Sequence, residues 1–217
     1  MLFLGLVHER LEQIDQAERL YQEILQQEKS HLEARRSLAR LFLRTRRTKE
    51  AIRLLQEALG AHPGMAILLS DLAQAYQQAG QRGEAEALYR RALEKDPYDP
   101  IALNNLAFLL SADEARLKEC SELAQRASRV VPGSPAIRDT LGWIAYKRGD
   151  LETASTLLSQ AVNASPNDPG LRYHLGAVYA KQGKPRYART ELKKALKSST
   201  FPESAEAKLL LASLGDN

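Results

Sequence analysis

Apolar and polar positions along this chain keep a long, regular beat. Leu4, Leu38, Leu72, Leu106, Leu141 and Leu175 stand at steps of 34 residues, with a single step of 35. A ladder of small residues follows the same steps: Ala17, Ala51, Ala85, Cys120, Ala154 and Ala188. A third does so again, through Ala58, Ala92, Ala127, Ala161 and Ala195. Between these marks the apolar positions recur at three- and four-residue spacing, which predicts helices with one apolar stripe. A period near 34 over a whole chain marks a stacked helical repeat.

Residues 135–168 serve as the type repeat. Pro135 opens a helix, where its missing N–H costs nothing. Leu141, Gly142 and Ala145 mark one face, and Gly149-Asp150 ends it, the glycine supplying a left-handed turn. A second helix carries Leu151, Ala154, Leu158, Ala161 and Val162. Pro166-Asn167-Asp168-Pro169 stops it and starts the next unit. Gly142, Ala154 and Ala161 are small because two helix axes cross there, and larger side chains would push them apart. No helix pair covers its own apolar face, so neighbours must stack.

The pattern L-G-x-x-[Y/A]…A…[L/Y]…A…P resembles the tetratricopeptide repeat (TPR). The resemblance implies an all-α, right-handed α-solenoid of antiparallel helix pairs. It divides residues 1–217 into a single array with units at about 1–31 (partial), 32–65, 66–99, 100–134, 135–168 and 169–202, and a capping helix at 203–214. Tyr76 and Tyr179, turn glycines Gly80, Gly149 and Gly183, and closing prolines Pro63, Pro97, Pro132 and Pro166 match the pattern. Tyr21, Tyr76, Tyr89 and Tyr179 are read as structural, and Cys120 as packing.

Departures are informative. Arg35, Leu69, Leu103, Arg138 and Arg172 replace the usual bulky aromatic. Ala39, Ala73 and Ala107 replace glycine after the ladder leucine. The fourth unit has one extra residue and a glycine-free turn, Ser111-Ala112-Asp113-Glu114, which predicts an irregular loop and a local change of superhelical pitch. The sixth reaches Thr200 where proline is expected, with Pro202 two residues late. In the tail, Ala205, Leu209 and Leu210 are expected to face the stack, and Glu203, Glu206 and Lys208 water. The first repeat begins partway through its first helix. This predicts a fragment of a longer array, with Leu2, Phe3 and Leu6 exposed at an uncapped end that offers a surface for self-association.

Composition adds little chemistry. The chain is rich in helix formers. Its 31 basic and 27 acidic residues give a net charge of +4, a weak lean toward anionic partners. One cysteine excludes an intrachain disulfide. No apolar run approaches the roughly 20 residues that span a bilayer, so no membrane contact is expected through this segment. Met1 to Val7 lacks the flanks of a signal peptide. His8, His31, His62 and His174 lack metal-ligand spacing, and no phosphate loop or catalytic triad is legible. No catalytic residue, metal ion, cofactor or small-molecule substrate is expected.

TPR proteins use the concave surface lined by the first helix of each unit, and position carries that groove onto three sectors here. The first is basic: Arg36, Arg40 and Arg44, a solvated face or a fork for carboxylates. The second is amide-rich: Gln74, Gln77, Gln78, Asn104 and Asn105, suited to the backbone of an extended peptide or simply polar surface. The third is aromatic: Trp143 and Tyr146 facing Tyr173 and His174, with Lys147 and Lys181 at the margin, a binding anchor or core. Of the two-carboxylate clamp of chaperone-binding TPRs only Asn105 is matched. Ser70, Gln74, Ala136 and Thr140 stand at the other positions, so recognition of an acidic chaperone tail is not expected.

Asp139-Thr-Leu-Gly-Trp143, Tyr173-His-Leu-Gly-Ala177 and Phe201-Pro-Glu-Ser-Ala205 resemble bacterial TPR proteins of exopolysaccharide and PEP-CTERM-associated export systems. That resemblance implies a cell-envelope or periplasmic setting, with a cytoplasmic one as the alternative. The resulting expectation is a non-enzymatic scaffold that holds a peptide or helix of a protein partner in the groove. The alternatives are nucleic-acid or anion binding through Arg36, Arg40 and Arg44, or a homo-oligomeric scaffold. Nucleic acid is disfavoured because no aromatics interleave with those arginines.

Overall fold

The computed structural model describes residues 1–198 and 201–215. Among them are thirteen α-helices, one 3-10 turn and no strand. The chain divides into two compact units, Met1–Asn105 and Leu106–Asn217. The first holds α1 (Leu2–Arg10), α2 (Ile14–Gln27), α3 (Leu32–Arg44), α4 (Thr48–Ala61), α5 (Ala66–Gln78), α6 (Arg82–Lys95) and the start of α7 (Pro100–Leu110). The second holds the end of α7, α8 (Leu117–Val130), α9 (Pro135–Lys147), α10 (Leu151–Ala164), α11 (Pro169–Lys181), α12 (Pro185–Ala195) and α13 (Ser204–Ser213).

Local chemistry sets the helix ends. Proline occupies the first turn of α9, α11 and α12. Asp99, Asp150 and Asp168 accept hydrogen bonds from otherwise unpaired N–H groups at the starts of α7, α10 and α11. Gly80, Gly149 and Gly183 turn the chain between paired helices at φ +79°, +82° and +69°. Two residues without glycine's freedom hold the same register: Glu12 at φ 58° and Arg46 at φ 61°. The glycine-free segment of the fourth repeat forms a 3-10 turn at Glu114–Arg116, with Asp113 accepting from the Ala115 N–H.

Within each unit, first and second helices pair through the small-residue seam. Ala17, Ala51, Ala85, Cys120, Ala154 and Ala188 are fully buried. Burial raises the Cys120 thiol above its ordinary value. Gly142 lies so close to α10 that an added Cβ would sit 2.8 Å from Leu158 Cγ, and Gly176 repeats the contact with Leu192 at 2.9 Å. Tyr21 and Tyr89 are fully buried; Tyr76 accepts from Gln56, and Tyr179 shares a hydrogen bond with Ser159.

The tail helix is turned differently from the sequence expectation. Ala207 is buried, and Leu210, Leu211 and Leu214 pack with it against Leu192, Ala195 and Phe201. Ala205 is exposed and Leu209 is 72% exposed. Four consecutive apolar residues, Leu209 to Ala212, make periodicity a poor guide to the buried face here. Thr200, the position of the missing closing proline, lies outside the described residues. At the other end Phe3 is 79% exposed beside Leu4 and Leu6, while Leu2 is half-buried. A cleft of about 530 Å³ opens there, lined by Phe3, Leu6, Val7, Glu9, Arg10, Glu12 and Arg44. Among the described residues no helix is long and apolar enough to cross a membrane.

Candidate functional site

First helices of neighbouring repeats are tied by buried ion pairs with a common register. In the first unit Arg36 Nε donates to Asp71 Oδ2 at 2.6 Å, joining α3 to α5. In the second unit Asp139 and His174 join α9 to α11, with His174 Nδ1 2.7 Å from Asp139 Oδ1. Arg36 and Asp139 each stand two residues before a ladder leucine; Asp71 and His174 each stand one before the next. The same register is used twice, with the acidic and basic partners exchanged.

These pairs change the reading of the basic sector. Arg36 is only 6% exposed, and its guanidinium also bonds Glu33 at 3.0 Å, so it presents no open fork to solvent. Arg44 pairs with Glu9 at 3.1 Å, and Glu9 also accepts from the Tyr21 hydroxyl. Arg40 is exposed, donates to Ser37 Oγ, and has no carboxylate partner among the described residues. A stripe of three arginines thus leaves a single unpaired charge.

The amides divide in the same way. Gln78 donates to the Leu43 carbonyl at 2.8 Å and ties α5 to α3. Gln77 accepts from Tyr89, whose hydroxyl also bonds Asn105. Asn104 reaches Asn105 at 3.4 Å, while its own buried Oδ1 has no hydrogen-bond partner. Gln74 alone of the five is both exposed and without a bond among the described residues.

The aromatic sector is the most built-up. Trp143 stacks on His174 at 4.2 Å and on Tyr146 at 4.8 Å between ring centroids. Tyr173 lies 5.5 Å from His174 and 6.4 Å from Trp143. Two rings missed by the sequence reading extend the cluster: Phe108, 6.0 Å from His174, and Phe201, 6.5 Å from Tyr173. Trp143, Tyr146 and Tyr173 are half-buried, and burial raises both tyrosine hydroxyls above their ordinary values. His174 is 4% exposed and therefore belongs beneath the rings rather than on the surface. Burial draws its imidazole down, but the Asp139 charge and hydrogen bond hold it above its ordinary value. Asp139 was the partner that sequence reasoning missed; its legible signal is the 35-residue step to His174, the step that also separates Arg36 from Asp71.

No group of three or more metal-ligating side chains occurs among the described residues. The arrangement is a half-buried aromatic surface over the buried Asp139–His174 hydrogen bond, with Lys147 and Lys181 at its margin.

Models described as tetratricopeptide repeat match residues 4–66 and 173–215, 46–106 and 88–154, and one described as TPR repeat matches 142–183. A TPR repeat-containing protein of Pseudomonas aeruginosa is 30% identical over 106 residues, which is 49% of this chain and 18% of that protein. The chain thus spans less than a fifth of that relative's length. Among solved structures, the Cut9–Hcn1 hetero-tetramer of the APC/C matches 99% of this chain and 42% of its own at TM-score 0.84 and 21% identity. A thermophilic TPR protein of Thermus thermophilus matches 82% of this chain and 95% of its own, at TM-score 0.69 and 21% identity. These structural likenesses share the fold.

Proposed function

The chain belongs to the tetratricopeptide repeat family, and from that premise we propose that it is a scaffold whose first-helix face holds a peptide or helix of a protein partner. The TPR fold supports protein–protein interaction in general. The observation that carries the narrower reading is the cluster of Trp143, Tyr146 and Tyr173. These rings are held half-exposed over the buried Asp139–His174 pair instead of being sunk into the core. Large amphipathic rings on a rigid base are the usual anchors of protein interfaces.

The setting we propose is a bacterial assembly or export system. Its support is the resemblance of the runs around Trp143, Tyr173 and Phe201 to export-associated TPR proteins, together with the Pseudomonas relative. Nucleic-acid binding through the arginine stripe is less well supported, since Arg36 and Arg44 already have carboxylate partners.

Selection of a random peptide library on the immobilised chain tests the scaffold reading. Enriched peptides that bind at micromolar affinity and compete for one face support it. The absence of any enriched peptide, or enrichment unaffected by substitution on α9 and α11, overturns it.

A further inference from the structure

The first helices α9 and α11 both end on a lysine, Lys147 and Lys181, 34 residues apart. A cation in the last turn complements the helix dipole and by itself implies no ligand. Here, however, each ammonium lies over an aromatic ring. Lys147 Nζ is 5.6 Å from the Trp143 ring centroid, and Lys181 Nζ is 4.7 Å from that of Tyr146. Neither lysine has a carboxylate partner among the described residues. The only acidic side chain on either helix is Asp139, which is buried against His174.

The patch therefore has an apolar centre of half-buried rings and, at its margin, two cations with no carboxylate partner among the described residues. That combination selects an occupant. We infer that it takes a partner segment whose aromatic or branched apolar side chain is flanked on one side by closely spaced carboxylates. The apolar group covers Trp143 and Tyr146, and the carboxylates meet Lys147 and Lys181.

The physical argument has two parts. A carboxylate brought to an ammonium beside aromatic rings is partly shielded from water, so the pair is stronger than one in open solvent. A basic segment meets the lysines with like charge and is rejected.

This inference rests on the proposed peptide-binding face and has its own test. Trp143 is the only tryptophan, so its emission reports on the patch directly. The full chain is titrated with four probes: a twelve-residue peptide carrying one Phe followed by three Glu, its Glu→Lys form, its Phe→Ala form, and a twelve-residue oligothymidylate. The acidic aromatic peptide should saturate the emission change. The two altered peptides should bind at least tenfold more weakly. In the Lys147→Glu, Lys181→Glu double variant the preference should pass to the lysine peptide. Far-UV circular dichroism checks that the double variant is folded. Equal binding of the acidic and basic peptides, tighter binding of the oligothymidylate, or no emission change with any probe overturns the inference. Those outcomes leave the scaffold reading to the library selection; an empty selection, conversely, removes the scaffold reading itself.

Discussion

Asp139 and His174 form a buried hydrogen-bonded pair between α9 and α11, 2.7 Å apart, with the ring of Trp143 stacked on the imidazole. The pair fixes the spacing of two first helices and the tilt of the ring stacked on it. It links the fold to the candidate site.

A pH dependence follows from it. Burial among the rings of Phe108, Trp143 and Tyr173 draws the imidazole down, but the Asp139 charge and hydrogen bond, with the charges of Glu203 and Asp168, hold it above its ordinary value. A raised folded value means that the stabilisation is fully present below the unfolded imidazole value of about 6.5. It is lost as pH rises through the folded value. Urea midpoints measured from pH 6 to 9 should show the wild-type advantage over His174→Gln shrinking as pH rises. Asp139→Asn should remove that trend.

The Arg36–Asp71 pair predicts a double-mutant signature. Burial pushes the Asp71 carboxyl up even though Arg36 and Arg40 pull it down, so the charge there depends on its partner. Arg36→Met alone leaves an uncompensated buried carboxylate and should cost about 3–5 kcal/mol. Arg36→Met with Asp71→Leu should recover most of that loss in urea denaturation.

The left-handed turn residues predict stabilising changes. Glu12 and Arg46 hold φ near 60°, where a side chain is strained and glycine is not. Arg46→Gly should raise stability by about 0.5–1 kcal/mol after the entropy cost of glycine. Gly149→Ala, at φ +82°, should lower it by about 1 kcal/mol. Thermal melts of the two variants against wild type decide the sign.

Close helix approach predicts a size limit. Gly142→Ala puts a methyl 2.8 Å from Leu158 Cγ and 3.4 Å from the Ala154 carbonyl. Overpacking of that kind costs about 1–3 kcal/mol. Gly60→Ala, with open space around it, should be neutral or slightly stabilising by the same measurement.

These residues also show what a sequence can reveal. The leucine and alanine ladders made the helix pairs legible, because a buried seam has to repeat its small residues wherever two axes cross. The turns at Glu12 and Arg46 carried no glycine and so gave no signal; backbone hydrogen bonds from the Gln13 N–H to the His8 carbonyl and from the Arg47 N–H to the Phe42 carbonyl close them. The burial of Arg36 and His174 was hidden for a different reason. Each depends on a carboxylate 35 residues away, and local patterning reads such a side chain as surface. The aromatic sector was visible as residue types, but its stacking order and the contributions of Phe108 and Phe201 arise from packing within the second unit.

The central claim is that partners bind the first-helix face anchored by Trp143. Isothermal titration of the tightest library-selected peptide into wild type and Trp143→Ala tests it most directly, at a temperature where circular dichroism shows both folded. The account predicts an affinity loss of tenfold or more in the variant, about 1.4 kcal/mol or greater. Unchanged affinity in a folded Trp143→Ala chain would contradict it.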